Sequence, residues 1–222
     1  SGTQRWRYDL QSMSQAAPSI QDGLIYLLLG GRSLACLQDQ GNAAGLIWQS
    51  DLPYNATSPM TVWLDTIFIG SGEGGDARLV ALRRVNPSDR REFAEPNARV
   101  QQPAVGGETI FVGADRLWAI DANLFAGQEI VWTSPDVFNV TAPPVYVSPG
   151  IVRLAELYAA DSGGTVHALD ANTGVRFWTH SFGATVTALA VNDSSVFIAG
   201  NGVVRAVSRR DGATQWTLPV GG

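Results

Sequence analysis

The sequence predicts an all-β chain of repeated four-stranded units, and three observations predict it. Apolar pairs, Ile25-Tyr26, Ile67-Phe68, Ile110-Phe111, Leu157-Tyr158 and Val196-Phe197, recur about every 40 residues. A second apolar strand follows each pair: Ala35-Cys36-Leu37, Ala81-Leu82, Ala119-Ile120, Ala168-Leu169 and Ala206-Val207. Each unit then closes on an aromatic, Trp48, Phe93, Trp132, Trp178 or Trp216. A period near 40 with several short strands per unit is the arithmetic of a β-propeller.

The clearest copy is the stretch from Ala159 to Trp178. Val166 and Ala168 alternate with His167 and Leu169, as a strand with two faces requires. Asp170, Asn172 and Gly174 then supply turn chemistry, with Gly174 placed for a positive φ. An innermost strand is expected before each apolar pair, at 17–20, 58–60, 102–105, 143–146 and 186–189. Four of these five carry proline, which suits a strand beginning because its missing N–H leaves no ladder bond unmade. The expectation is a single domain over residues 1–222 with five four-stranded blades.

The beginning is irregular. Gly2-Thr3-Gln4-Arg5-Trp6 repeats the pattern that ends on Trp178 and Trp216, so it reads as an orphan outer strand. Such a strand fits a ring that closes unusually, or a larger propeller of which this chain is a piece; the second reading is preferred. Two units also depart from the repeat. The second carries a glycine-rich hairpin, Gly70 to Gly75, and an arginine-rich turn; the fourth carries an insertion at 147–155. Loops that break a repeat's rule are where function is expected.

Bulk composition removes several classes. The 222 residues are 45% hydrophobic, enough for one core or a ring of small ones, yet no apolar run is long enough to span a membrane. The net charge of −5 argues against a nucleic-acid binder. All 15 basic residues are arginine, which excludes a Walker A lysine, a Schiff base or a Ser–Lys pair. Cys36 is the one cysteine, so there is no internal disulfide; on an apolar strand it reads as a core residue.

The pattern Ala168-x-Asp170-x-x-x-Gly174-x-x-x-Trp178 resembles the repeat of pyrroloquinoline-quinone-type (PQQ-like) propellers. Gly212 to Trp216 copies it, and Gly2 to Trp6 is a partial copy. The resemblance implies a docking girdle in which the Trp of one blade stacks on the Gly turn and Ala of its neighbour. It assigns blade docking to Trp6, Trp48, Trp132, Ala168, Gly174, Trp178, Gly212 and Trp216. The family includes quinone-dependent dehydrogenases, outer-membrane assembly propellers and sensor domains of membrane kinases. Nothing in the sequence matches the quinone and calcium sites, so no cofactor, metal or catalytic residue is assigned.

The resemblance therefore implies a noncatalytic binding, scaffolding or ligand-sensing domain outside the cytoplasm, with a protein or small-molecule partner. The alternative of another class is a quinone-dependent oxidoreductase. Asp161-Ser162-Gly163-Gly164 looks like a serine-protease nucleophile segment but falls in a strand-to-strand turn, and neither His167 nor His180 has the context of a catalytic base. Arg83, Arg84, Arg90 and Arg91 are the one local basic cluster and the candidate surface for an acidic partner.

Overall fold

Period-2 alternation of apolar residues, broken by glycine and Asp/Asn turns, folds this chain into short antiparallel sheets. The structure, a computed structural model, describes residues 2–10, 12–14, 16–125, 127, 130–150 and 154–220. Blade 1 comprises β1 (Ser19–Gln21), β2 (Leu24–Leu29), β3 (Ser33–Asp39) and β4 (Ala44–Asp51). Blade 2 comprises β5 (Ala56–Trp63), β6 (Thr66–Ser71), β7 (Arg78–Arg83) and β8 (Arg90–Phe93). Blade 3 comprises β9 (Ala104–Gly106), β10 (Thr109–Gly113), β11 (Arg116–Asp121) and β12 (Ile130–Phe138). Blade 4 comprises β13 (Val145–Val147), β14 (Glu156–Ala160), β15 (Thr165–Asp170) and β16 (Arg176–Ser181). Blade 5 comprises β17 (Ala188–Val191), β18 (Ser195–Gly200), β19 (Val203–Ser208) and β20 (Thr214–Pro219).

In every blade the strands pair in sequence order, so each is a meander. The first strands β1, β5, β9, β13 and β17 stand side by side in that order. Pro18, Pro103 and Pro144 immediately precede β1, β9 and β13. Pro59 instead lies inside β5, where the register slips between Ala56 and Met60, a bulge that accommodates a residue without an N–H.

The core is a series of apolar layers between successive blades, because a sheet buried on both faces needs a partner on each. One face of each blade, here the exit face, meets the following blade; the other, the entry face, meets the preceding one. Tyr26, Leu28, Leu34 and Cys36 of blade 1 pack on Ile67, Ile69, Val80 and Leu82 of blade 2. Phe68, Leu79, Ala81 and Phe93 pack on Ile110, Val112, Trp118 and Ile120. Phe111, Leu117 and Ala119 pack on Leu157, Ala159 and Leu169. Tyr158, Ala160, Val166 and Ala168 pack on Val196, Ile198 and Val207.

Register lines up one residue from each of three strands across the exit face. Tyr26, Cys36 and Trp48 are directly opposed, as are Phe111, Ala119 and Trp132. Tyr158, Ala168 and Trp178 repeat the row, as do Phe197, Ala206 and Trp216. A small residue between two aromatics leaves room for both rings. Cys36 is the small residue of blade 1 and is fully buried, which pushes its thiol pKa up.

Blade 2 differs from the alignment by aromatic. Opposite Phe68 and Ala81 stands Arg91; Phe93 sits two residues on, opposite Leu79. Phe93 is buried edge-on against Trp118 of blade 3. Arginine therefore occupies the position that holds tryptophan elsewhere.

Gly2 to Trp6, read as an orphan outer strand, and the residues up to Leu10 pair with no sheet among the described residues. Tyr8 and Leu10 cover Leu27, Leu29, Ala35 and Leu37 on the entry face of blade 1. Of the fourth blade's insertion, residues 151–153 lie outside the described residues. The glycine-rich hairpin of blade 2 contains a short 3-10 turn, Gly74–Asp76.

Candidate protein-interaction surface

The tryptophans sit at the seams between blades. Trp48 Nε1 donates to the Arg84 carbonyl of blade 2 at 2.7 Å. Trp132 Nε1 donates to the Ala171 carbonyl of blade 4 at 3.0 Å, and Trp178 Nε1 to the Arg209 carbonyl of blade 5 at 3.1 Å. Each acceptor is the residue just after the third strand of the following blade. Trp132 lies on Gly174 and Trp178 on Gly212. Both glycines have φ above +70°, and a methyl group there would come within 2.8 and 2.7 Å of the indole. Glycine thus serves twice, admitting the turn and admitting the ring. Trp6 Nε1 reaches Asp39 Oδ1 of blade 1 at 2.9 Å, close to the corresponding site. Trp216 has no such acceptor among the described residues and is 45% exposed.

The arginine cluster divides by destination. Arg84 turns into the seam with blade 1, donating to Tyr26 Oη at 2.7 Å, to Asp22 at 2.9 Å and to the Leu64 carbonyl at 2.5 Å. Arg83 pairs with Asp65 and lies over the Phe125 ring of blade 3 at 4.0 Å. Arg91 approaches the same ring at 5.4 Å, so two guanidinium groups bridge blades 2 and 3 where tryptophan does so elsewhere. Arg90 and Arg91 keep about half their side chains in solvent. Charge alone signalled the cluster in the sequence; the inter-blade contacts depend on Phe125 and Tyr26, which only the packed sheets bring near.

The same end of the molecule has two clefts that sequence reasoning missed. A cleft of about 430 Å³ lies between blades 2 and 3, lined by Trp63, Leu64, Arg83, Glu108 and Asp121 among others. One of about 500 Å³ lies between blades 1 and 2, lined by Gln21, Leu24, Leu64, Arg84 and Val85 among others. Leu64 stands on the ridge that both share. It is 66% exposed, and Val85 at the rim is 87% exposed. Leu64 also holds φ at +49°, a left-handed conformation that costs a residue with a Cβ about 1–2 kcal/mol. Its carbonyl accepts from Arg84 and from Gln21 Nε2, which holds the turn in this shape. The only sequence signal was a non-glycine residue in a two-residue hairpin turn.

His167, read from the sequence as lacking a carboxylate, has one: Asp161 Oδ2 is 2.8 Å from its Nε2. His167 is buried on the face toward blade 3 with Asp161 partly covered beside it, and His167 Nδ1 has no partner among the described residues. Asp161 Oδ1 meanwhile accepts from the Thr165 N–H and closes the hairpin turn. Buried in this way, the pair closes a seam. Among the described residues no group of acidic, His or Cys side chains is placed to hold a metal ion.

A family model described as outer membrane protein assembly factor BamB matches residues 127–222. Those residues hold the Trp132, Trp178 and Trp216 copies of the seam motif. Over those residues the chain is similar to PQQ-like propeller repeats. The chain superposes on BamB from Moraxella catarrhalis with a TM-score of 0.76 at 18% identity, covering 96% of this chain and 64% of that one. It superposes on Saccharomyces cerevisiae Sqt1 with a TM-score of 0.71 at 14% identity, covering 90% of this chain and 58% of that one. A chain of a mitotic checkpoint complex gives 0.71 at 16% identity, covering 90% and 61%. The chain thus spans less than two-thirds of each of these structures, and at such identities the likeness is one of fold. No curated protein sequence matches the chain.

Proposed function

We propose that this propeller is a noncatalytic protein-binding scaffold that acts outside the cytoplasm. The observation that carries the reading is Leu64, held exposed in a strained turn on the ridge between two clefts. A strained, exposed apolar residue is maintained at a cost to stability and so fits a contact role. With Val85 lining the same cleft and the half-exposed Arg90 at the start of β8, where the turn after Val85 ends, the surface suits an extended segment with apolar side chains on either side of the ridge and an acidic residue at its edge. The match to a family described as outer membrane protein assembly factor BamB supports the setting and a role in organising protein partners.

The test is selection of displayed peptides on the whole chain. Enriched peptides should carry paired apolar residues with a nearby acid, and their binding should be lost in Leu64→Gly and Val85→Ser while Tm is kept. Arg90→Glu should weaken binding most at low salt. Peptides indifferent to all three substitutions would refute the assignment. Pyrroloquinoline quinone with calcium should leave both Tm and the quinone absorbance unchanged; a response in both would favour the oxidoreductase instead.

A further inference from the structure

The glycine-rich hairpin of blade 2 shapes a second cleft, at the opposite end of the strands from Leu64. Antiparallel pairing brings the β2–β3 turn, the connector into β5 and the β6–β7 turn together at that end. They frame a cleft of about 590 Å³, lined by Gly31, Tyr54, Asn55, Glu73, Asp76 and Arg99 among others. Bonds between these segments fix its walls. The Ala56 N–H donates to the Gly31 carbonyl at 2.6 Å, the Gly72 N–H to the Asn55 carbonyl at 2.9 Å, and the buried Ser71 Oγ to the Tyr54 carbonyl at 2.8 Å. Gly72 has φ +77°, and a methyl group there would collide with the Asp76 carbonyl, so the hairpin closes in this shape only with glycine.

Three charged side chains line the cleft among the described residues, and two of them are unmatched. Asp76 lies 3.7 Å from Arg78, which also pairs with Glu92 and covers the Tyr54 ring at 4.3 Å. Arg99 is tethered through Nε, which donates to the Thr57 carbonyl at 2.8 Å, while Nη1 and Nη2 have no partner among the described residues. The Glu73 carboxylate has none there either, and it does not cap its own turn. Elsewhere on the surface opposite charges close up, as Arg83 does with Asp65 and Arg176 with Asp136. Here a cation and an anion share one cleft and stay apart. Beside Arg99 the cleft adjoins a smaller recess of about 160 Å³, which shares Ala56, Thr57 and Arg99 with it and adds the apolar Ala16, Leu28 and Pro59. The Ser58 hydroxyl in that recess is occupied by the Pro59 carbonyl and the Gly70 N–H.

We propose that this cleft binds a small zwitterion with an apolar side chain, a free amino acid or a short peptide. Its carboxylate lies on Arg99, its ammonium on Glu73 and its side chain in the recess. A guanidinium held at Nε still presents its two terminal nitrogens to a carboxylate as a planar fork. A purely anionic ligand would face Glu73 and Asp76, and a purely cationic one Arg99, so only a ligand of both signs is matched. The site takes nothing from the Leu64 ridge, and the loss of either function leaves the other intact.

Titration of the whole chain with L-leucine and with leucylalanine, followed by heteronuclear NMR, tests this. One or both should shift the amide signals of Gly31, Asn55 and the Gly72 to Asp76 turn saturably. A response to leucine assigns a free amino acid, and a response to the dipeptide alone assigns a peptide. Acetylating the ligand amine or amidating its carboxylate should weaken binding by about tenfold or more, the size of one charged hydrogen bond. Arg99→Gln and Glu73→Gln should each do the same while keeping Tm, because both side chains are exposed. Arg7→Gln, which removes an exposed charge elsewhere, should leave binding unchanged. Added salt should weaken it. The proposal is overturned if neither ligand shifts these signals at millimolar concentration, if the blocked forms bind as well as the zwitterions, or if both Gln variants bind like the parent chain.

Discussion

Arg84 and Arg209 occupy one position of the repeat and make the same pair of contacts. Each follows the third strand of its blade, gives its carbonyl to the tryptophan of the preceding blade, and turns its guanidinium back into that seam. Arg84 finds Tyr26 Oη and Asp22; Arg209 finds Glu156 Oε2 at 2.6 Å, which in turn accepts from Tyr158 Oη. Burial, reinforced by the Glu156 carboxylate, pushes the Tyr158 hydroxyl pKa well up, so it remains a donor. The seam between blades 3 and 4 does without any of this. There Thr109, Phe111 and Ala171 stand where Glu156, Tyr158 and Arg209 stand in the next seam.

That contrast makes a measurable difference. Arg209→Ala leaves the Glu156 carboxylate buried without its cation and should cost about 3–5 kcal/mol in urea unfolding. Combining it with Glu156→Thr and Tyr158→Phe rebuilds the apolar seam type and should cost less than Arg209→Ala alone. A triple variant whose loss equals or exceeds that of the single variant would show that the two seam types are not interchangeable.

Two glycines with similar backbone conformations should respond differently to alanine. Gly183 has φ +83° and nothing within 4 Å of an added methyl; Gly212 has φ +73° and the Trp178 ring at 2.7 Å. Gly183→Ala should cost only the left-handed conformation, about 1–2 kcal/mol. Gly212→Ala should cost clearly more, because the indole must also leave its seat. Matched denaturation midpoints would mean that the ring moves aside freely.

The repeat made the blades legible, because a period near 40 and strict two-face alternation persist from one copy to the next. The placement of Trp132 and Trp178 on Gly174 and Gly212 follows the spacing that the sequence already displays. Phe93 was harder. Counting aromatics aligned it with the tryptophans, but strand register is set by hydrogen bonding, and that puts Arg91 in the row. The arginine cluster was legible only as charge, because cation–π contact with Phe125 joins residues far apart in sequence. Leu64 carried almost no signal, since its turn is held by bonds from Arg84, two strands on in the same blade, and from Gln21 across a blade boundary.

His180 supplies a pH dependence with a definite sign. Its Nδ1 lies 2.9 Å from the Gly212 carbonyl, and its Nε2 lies 3.2 Å from Arg205 Nη1, an arrangement that uses the neutral ring as donor and acceptor. Burial lowers its pKa; the Gly212 carbonyl partly opposes this, and the nearby Arg205 charge adds to it. The unfolded chain therefore takes up the proton first as pH falls. The contribution of His180 to stability is complete above its ordinary value of about 6.5 and is lost as pH drops through the lower folded value. Urea midpoints of the parent chain should fall more steeply than those of His180→Gln over that window. Parallel curves would place the ring outside the titration.

Trp178 and Trp216 stand at the same repeat position with opposite surroundings, so they isolate what a seam contributes. Trp178 packs at 5.8 Å from Tyr158, covers Gly212 and donates to the Arg209 carbonyl. Trp216 has its own ring partner, Phe197 at 5.9 Å, but is 45% exposed and has no following blade against it among the described residues. Packing within a blade is thus equal for the two, and only the contact with a following blade differs. Trp178→Ala should cost about 3–5 kcal/mol, as expected for a large side chain with buried neighbours on both sides. Trp216→Ala should cost less than about 1 kcal/mol, in the range of surface changes. Because the difference reads the inter-blade contact alone, equal losses would mean that tryptophan stabilises its own sheet rather than the seam.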